Sequence, residues 1–278
     1  MKVLWVYAQP EPSSLNGSLR EEGLRALAAA GHAWRTSDLY AMRWKAALDR
    51  DDFAGLPDGP MVVTTASQRA YRTGTLSPDI RAEQAKLDWA DAVVLQFPLW
   101  WYGMPAILKG WVDRTFVKGY AYGVRDPDDP GRTLRYGEGR LAGKRALVVV
   151  SSGSPAAALG PRGINGQLDQ VLFPLLHGTL WYVGMSVLPP VAIHGADRVD
   201  SESYAAAAAL VRDRVAALEH TEPLPFRSQN GGDYDDLVLR PHLAPGAAGL
   251  GVHYAGDPAP GCPGLTRGRR RGWSRTAR

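Results

Sequence analysis

Cysteine is nearly absent. Cys262 stands alone in 278 residues. A single thiol closes no disulfide framework and builds no cysteine-based metal cluster. Long apolar runs are also missing, and nothing approaches the ~18 residues that cross a bilayer. The opening MKVLWVYAQP carries an apolar run too short for a secretion signal, and Gln9-Pro-Glu-Pro12 follows it. The expectation is a soluble, cytoplasmic protein without membrane insertion. His32, His177, His194, His220, His242 and His253 are scattered without ligand spacing. No HExxH, no GxSxG elbow, no GxxxxGK loop and no GxGxxG turn is present. Zinc-protease, serine-hydrolase, P-loop and Rossmann readings lack support, and no metal site is expected. Acid is missing from the last stretch, where Arg267, Arg269, Arg270, Arg271, Arg275 and Arg278 stand unopposed. They produce the net charge of +4; without them 26 basic residues face 28 acidic ones. Basicity therefore belongs to a tail, and no nucleic-acid surface is expected on the body.

What is present is ordinary globular composition, 45% apolar and 22% charged, with core enough for one large domain. Short β-rich runs alternate with longer helical stretches. Lys2–Ala8 reads as a strand buried on both faces, and Asn16–Ala30 as a helix ending at Gly31. Trp34–Leu39 reads as a second strand. Residues 40–80 read as irregular, and Arg81–Trp89 as a helix. Ala92–Phe97 is a third strand, followed by a helix over Pro105–Phe116 with proline in its first turn. Residues 123–139 read as an exposed loop and Lys144–Val150 as a fourth strand. Gln167–Val183 is helical, Ser186–Val191 a fifth strand and Ser201–Glu219 a last helix. This alternation predicts a parallel sheet covered by helices on both faces. Five strands suit the flavodoxin-like order 2-1-3-4-5, in which ligands bind beyond the carboxyl ends of the strands.

Three loops at those ends deserve chemistry. The first runs from Gln9 to Gly17 and carries Ser13, Ser14 and Asn16 directly before a helix. Free N–H groups and the positive dipole end there suit a phosphate, and Ser or Asn at that position equally suits a plain helix cap. The second, Gln96 to Ala106, places Trp100, Trp101 and Tyr102 between Pro98 and Gly103. Three adjacent aromatics cannot all turn into one core. They stack on a planar ligand, or they form a packing cluster or dimer surface. The third, Ser151-Ser-Gly-Ser154, is small enough for a ring to approach its backbone, though such loops also serve as linkers.

Together the loops resemble the NAD(P)H:quinone oxidoreductase family of DT-diaphorase type. The likeness rests on Leu39-Tyr-Ala-Met42, Leu76-Ser-Pro-Asp-Ile80, Gln96-Phe-Pro-Leu99, Tyr102-Gly-Met-Pro-Ala-Ile-Leu-Lys-Gly-Trp111, Ala121-Tyr122 and Leu188-Pro-Pro190. It covers about residues 2–225. The resemblance implies a flavodoxin-like homodimer with a flavin at each interface, reducing quinones by two electrons with NAD(P)H as donor in a ping-pong cycle. By position it implies that Gln9, Ser14, Leu15 and Asn16 meet the flavin phosphate side. Pro98, Leu99, Trp101 and Tyr102 then lie along the flavin ring, and Ser151, Ser152, Gly153 and Ser154 meet its polar edge. Tyr122 matches a substrate-pocket tyrosine given by the partner subunit, and Trp101, Tyr102, Asn165 and Tyr182 complete the implied substrate pocket. The catalytic set so implied is Tyr122, Asn165 and Gly153. The length leans to FAD, with FMN the other choice.

Three positions depart from the family pattern. Its phosphate-loop histidine is Gln9 here, and its active-site tyrosine and histidine fall at Leu159 and Asn165. Leucine donates no proton, and asparagine does not titrate near neutral pH. Quinone or related flat electrophiles remain the expected substrates. The alternatives are a specialised flavoenzyme for one polyketide-like quinone, azo or nitro compound, or a flavin-binding regulatory subunit with little turnover. Residues 1–227 are expected to form the catalytic domain. Residues 228–278 are expected to form an extension, with His253 and Tyr254 as anchors on the partner subunit and mobility from about residue 257.

Overall fold

The computed structural model describes residues 1–256; the expectations for the arginine-rich segment beyond them lie outside the described residues. Five sheet positions are filled by parallel strands. In chain order these are β1 (Lys2–Tyr7), β2 (Ala33–Asp38), β3 (Ala92–Pro98), β4 (Arg145–Ser152), β5 (Ser186–Val187) and β6 (Val191–His194). The order is β2-β1-β3-β4, with β5 and β6 sharing the last place beside β4. This is the flavodoxin-like arrangement that the strand pattern predicts, with the strands alternating their side chains between two faces. On one face Leu4, Val6, Val93, Leu95, Phe97, Val148 and Val150 enter a large core with helices α3 (Pro78–Trp89) and α4 (Ala106–Thr115). On the other face Val3, Trp5, Val94, Leu147 and Val149 meet α1 (Leu15–Ala29) and the long helix of Ser201–Ala216. The near-continuous apolar runs of β1 and β3 are explained by that double cover.

Four expectations need correction. Residues 40–80 are not irregular throughout: α2 (Val63–Thr73) lies inside them, and α3 starts at Pro78, three residues early. The helix is hidden by weak helix formers, Val63-Thr-Thr65, and by an N-cap, Val62, without a side-chain bond. The Gly74-to-Pro78 stretch is the stop of one helix and the start of the next. The fifth strand is broken, because Pro189 and Pro190 offer no N–H to the ladder. It resumes at Val191 and runs to His194. The stretch Gln167–Val183 is not one helix. It opens with Leu168–Val171, is interrupted around Pro174, and widens into a π-helical turn over Leu176–Trp181. Residues 123–139 hold a short hairpin, Val124–Arg125 with Thr133–Leu134. Beyond it the chain docks, with the N–H groups of Tyr136 and Gly137 donating to the carbonyls of Tyr182 and Trp181, each at 3.0 Å. Gly31 follows the cap residue Ala30 with φ 71°.

The described part of the extension lies on its own chain. Tyr254 is buried and its ring sits 4.7 Å from that of Phe226. The backbone closes the contact through Arg227 N–H to His253 O at 3.0 Å and Ala255 N–H to Pro225 O at 2.7 Å. His253 joins the same aromatic group.

Candidate active site at the strand ends

The three loops converge on Ser151. Asn16 Nδ2 donates to Ser151 Oγ at 2.8 Å, and Leu99 N–H donates to Ser151 O at 2.8 Å. The Asn16 carbonyl in turn accepts from Gln96 Nε2 at 2.7 Å, while Gln96 Oε1 accepts from Trp5 Nε1 at 2.9 Å. These buried polar bonds lock the ends of β1, β3 and β4 in one register, since each buried group left unpaired costs ~1–3 kcal/mol.

At the start of α1 both readings of the serine loop have a place. Ser14 is the cap, its Oγ accepting from Gly17 N–H at 3.2 Å. Ser13 is turned aside, donating its Oγ to Glu11 at 2.5 Å. Neither hydroxyl is spare. The N–H groups of Leu15 and Asn16 find no acceptor among the described residues, so the anion-seeking end of the helix is backbone. Pro12 folds down over it so closely that a Cβ on Gly17 would lie 1.9 Å from the Pro12 carbonyl oxygen. Asn16 Oδ1 is buried with no donor. Gln9 stands half-buried beside the loop.

The aromatic loop is a tight turn. Trp100 and Gly103 exchange N–H to carbonyl bonds in both directions at 3.0 Å. Between them Trp101 and Tyr102 take φ of 50° and 61°, which is glycine territory and costs about 1 kcal/mol or more for each side chain. The turn throws Trp101 outward, 97% exposed, with Tyr102 at 53%. Pro98 is buried beneath it and Leu99 half-buried. Tyr102 is held: its hydroxyl donates to Asn165 Oδ1 at 3.1 Å, and Asn165 Nδ2 donates to Ser154 Oγ at 2.9 Å. Ser154 N–H reaches Ser152 Oγ at 3.1 Å. Asn165 is thus a bracket between the aromatic turn and the small-residue loop. Asn165 N–H donates to the carbonyl of Ala158 at 3.0 Å, and the next residue, Leu159, turns its side chain into the core, where it is 4% exposed.

Asp197 reaches over Gly153, its Oδ2 lying 2.2 Å from where a Cβ would stand, a contact that the exposed carboxylate can relieve by swinging aside. Arg198 Nη2 donates to the Gly153 carbonyl at 3.4 Å. Sequence reasoning missed Asp197 and Arg198. Their only signal is position, just past the end of a strand whose true length Pro189 and Pro190 conceal.

Tyr122 and Tyr182 form a second group. Burial pushes the Tyr122 phenol up, its bond with Ser67 draws it down, and Tyr182 nearby pushes it up again. The Tyr182 ring meets that of Tyr136 edge-on at 5.0 Å. Among the described residues no hydrogen bond or ring contact joins this group to Tyr102 or Asn165.

Comparison with known proteins agrees with this layout. The flavodoxin-like fold family matches residues 1–215. A ribosyldihydronicotinamide dehydrogenase-like protein of Penicillium crustosum is 45% identical, over 91% of this chain and 95% of its own. The NAD(P)H dehydrogenase (quinone) 1 of Rattus norvegicus is 33% identical, over 81% of this chain and 80% of its own. The chain belongs to the NAD(P)H:quinone oxidoreductase family. A solved protein of Klebsiella pneumoniae, assigned as a quinone reductase, superposes with a TM-score of 0.88 at 52% identity, covering 92% of this chain and all of that one. In open α/β sheets ligands bind beyond the carboxyl ends of the strands. There, within one chain, backbone donors, a displayed aromatic and a narrow glycine loop face outward together. No helix among the described residues is long and apolar enough to cross a membrane.

Proposed function

We propose that the chain is a flavin-dependent NAD(P)H oxidoreductase that reduces quinones and similar flat electrophiles, at a site completed by a second copy. The observation that carries this reading is the convergence on Ser151, which ties three otherwise separate loops together at the strand ends. The residues suit a flavin. The free N–H groups of Leu15 and Asn16 suit its phosphate. The orphan Asn16 Oδ1 is an acceptor for a hydroxyl of its ribityl chain. Trp101 and Tyr102 offer flat surface, and Gly153 lets a ring edge approach the backbone of Ser152 and Ser154. A bound flavin supplies the two-electron chemistry, taking electrons from a nicotinamide and passing them to the quinone. The protein's part is placement: Asn165 holds Tyr102, Arg198 holds the Gly153 carbonyl, and Leu99 stays tied to Ser151.

The dimer reading rests on two features. Trp101 and Ile164 are almost fully exposed, more apolar surface than a finished site leaves open. Tyr122 and Tyr182 lie together but apart from the aromatic turn, as residues lent to a neighbour's pocket do. FAD is the proposed flavin, with FMN the other choice. We place the chemistry in residues 1–227, with 228–278 as an extension, and the protein in the cytoplasm. A second reading, a flavoenzyme specialised for one polyketide-like quinone, azo or nitro compound, is favoured by Asn165. That side chain is committed to Tyr102 and Ser154, and Leu159 is committed to the core, so neither is a proton donor to the site.

The test is direct. The purified protein should be yellow, release FAD by mass, sediment as a dimer and oxidise NADH or NADPH with menadione. A protein that stays colourless after addition of FAD or FMN overturns the proposal. Bound flavin without turnover assigns it to the regulatory class instead.

A further inference from the structure

Trp5 lies within β1, and its ring is fully buried in the core layer between the sheet and α1. Its one polar atom is spent inside that layer, Nε1 donating to Gln96 Oε1 at 2.9 Å. The six-membered part of the ring lies against Gly23 of α1, so closely that a Cβ there would stand 2.1 Å from Trp5 Cη2. Glycine in the middle of a helix is unfavourable, and here the missing side chain admits the indole and holds it in place.

Gln96 is buried as well, and its amide has one workable orientation. An indole N–H only donates, and a backbone carbonyl only accepts. With Oε1 on Trp5 and Nε2 on the Asn16 carbonyl at 2.7 Å, both partners are satisfied. Turned over, the amide would set N–H against N–H at one end and oxygen against oxygen at the other. Trp5 therefore decides which way the Gln96 side chain faces, and Gln96 holds the first turn of α1.

That hold governs the two groups Asn16 has left over. Its carbonyl is taken by Gln96, and its Nδ2 by Ser151 Oγ at 2.8 Å. Its backbone N–H finds no acceptor among the described residues, and its buried Oδ1 finds no donor. Two fixed bonds thus aim two free groups. The series runs from Gly23 to Trp5, from Trp5 to Gln96, and from Gln96 to Asn16.

We propose that Trp5 is a positioning residue for the flavin: by fixing the Gln96 amide it sets where the free N–H and Oδ1 of Asn16 stand, and so the affinity for the cofactor. This rests on the reading of the strand ends as the flavin site. Trp5 itself has no exposed atom to offer a ligand.

The test is fluorescence titration of the full chain with FAD and with FMN, comparing the parent with Trp5→Phe, Gln96→Met and the double variant. Each of the two single changes should raise the flavin Kd about tenfold, ~1.4 kcal/mol. The double variant should stay within about twofold of Gln96→Met alone, because residues that act through one bond are not additive. A fourth variant, with 3-benzothienylalanine at position 5, keeps the ring shape and the contact with Gly23 but carries sulfur in place of the N–H. It should weaken flavin binding as Trp5→Phe does, with the fold checked by circular dichroism, and it keeps the question open to measurement if Trp5→Phe does not fold. Parent affinity in the 3-benzothienylalanine variant overturns the proposal, since the ring would then act by filling space. So do independent, additive effects of Trp5→Phe and Gln96→Met. A parent chain that binds neither flavin fails earlier and differently: it overturns the function proposed above, and this proposal with it.

Discussion

The strand ends and the aromatic cluster around His177 are built on opposite plans. At the strand ends polar groups are locked by buried hydrogen bonds while the large side chains are displayed: Asn16, Gln96 and Ser151 are sealed, and Trp101 stands in solvent. Around His177 the large side chains are sealed and the polar groups look into a cavity. The first region holds strain in a turn, with two aromatics at positive φ. The second stacks its rings at ordinary separations of 4.6 to 6.3 Å. A surface that fixes its backbone and exposes its aromatics leaves apolar area open to a ligand or a second copy, as the proposed function requires. A surface that satisfies its own rings needs no partner to be stable.

The largest effect should come from breaking the close approach at α1. In Gly17→Ala the new Cβ meets the Pro12 carbonyl oxygen at 1.9 Å, and backbone cannot yield as a side-chain tip does. The loop must lift from the helix. Flavin Kd should rise on the order of 100-fold, ~2.7 kcal/mol, by fluorescence titration, while the His177 cluster keeps its thermal stability. An unchanged Kd would detach this loop from cofactor binding.

Next comes Leu159→Tyr. The family pattern has tyrosine there, but Leu159 is a core residue in this chain. Added volume in a filled core costs ~1–3 kcal/mol, so urea denaturation should show a loss of that size. A tyrosine at 159 therefore restores no donor to the site. A stable variant with faster flavin reduction by NADH would show that the side chain can leave the core.

How much of this was legible from residues alone follows the same division. The sheet order was readable from the alternation of strands and helices along the chain, and the aromatic turn and the small-residue loop because each lies in one contiguous segment; Gln96 to Trp111 carries most of the likeness. Ser151 was readable as a loop residue, and its role as the hub joining three strands was not, because hydrogen-bond partners 135 residues apart leave no local mark. Helix α2 was hidden by its Val and Thr residues. Asp197 and Arg198 were hidden by the proline break before β6. The His177 cluster draws on segments near 136, 173–182, 226, 234 and 253. A π-helical turn aims His177 there, and such a turn has no periodic signature.

A smaller effect separates neighbours within the turn. Trp101 is 97% exposed and Trp100 43%, and only Trp101 stands at positive φ of the two. If Trp101 faces the flavin ring, Trp101→Ala should lose ~1 kcal/mol or more of flavin affinity beyond its area, about fivefold, and Trp100→Ala should lose less. Equal dissociation constants would make the exposed ring a dimer contact rather than a flavin contact.

The smallest effect belongs to the sealed cluster and follows from its histidines. Burial lowers His177 from 6.5 to about 4, with His253 adding to the shift. The folded protein resists charging it, while the unfolded chain takes up the proton near pH 6.5. The unfolded state therefore binds more protons between these values, and stability rises with pH across that window. The contribution is fully present above pH 6.5 and drains away as pH falls toward 4. Because the ring retains some access to solvent, we expect roughly 1 kcal/mol from it, or roughly 2–4 °C in melting temperature. In His177→Phe, which keeps the stack against Phe173, the drop in melting temperature between pH 7 and pH 4.5 should shrink by about that amount. A remainder should persist, because His253 is also lowered, by burial and then by Arg227. The strand-end variants should leave this slope untouched, since no histidine belongs to that group. If Trp101→Ala changes the slope as much as His177→Phe does, the two regions are one cooperative unit and the division between them fails.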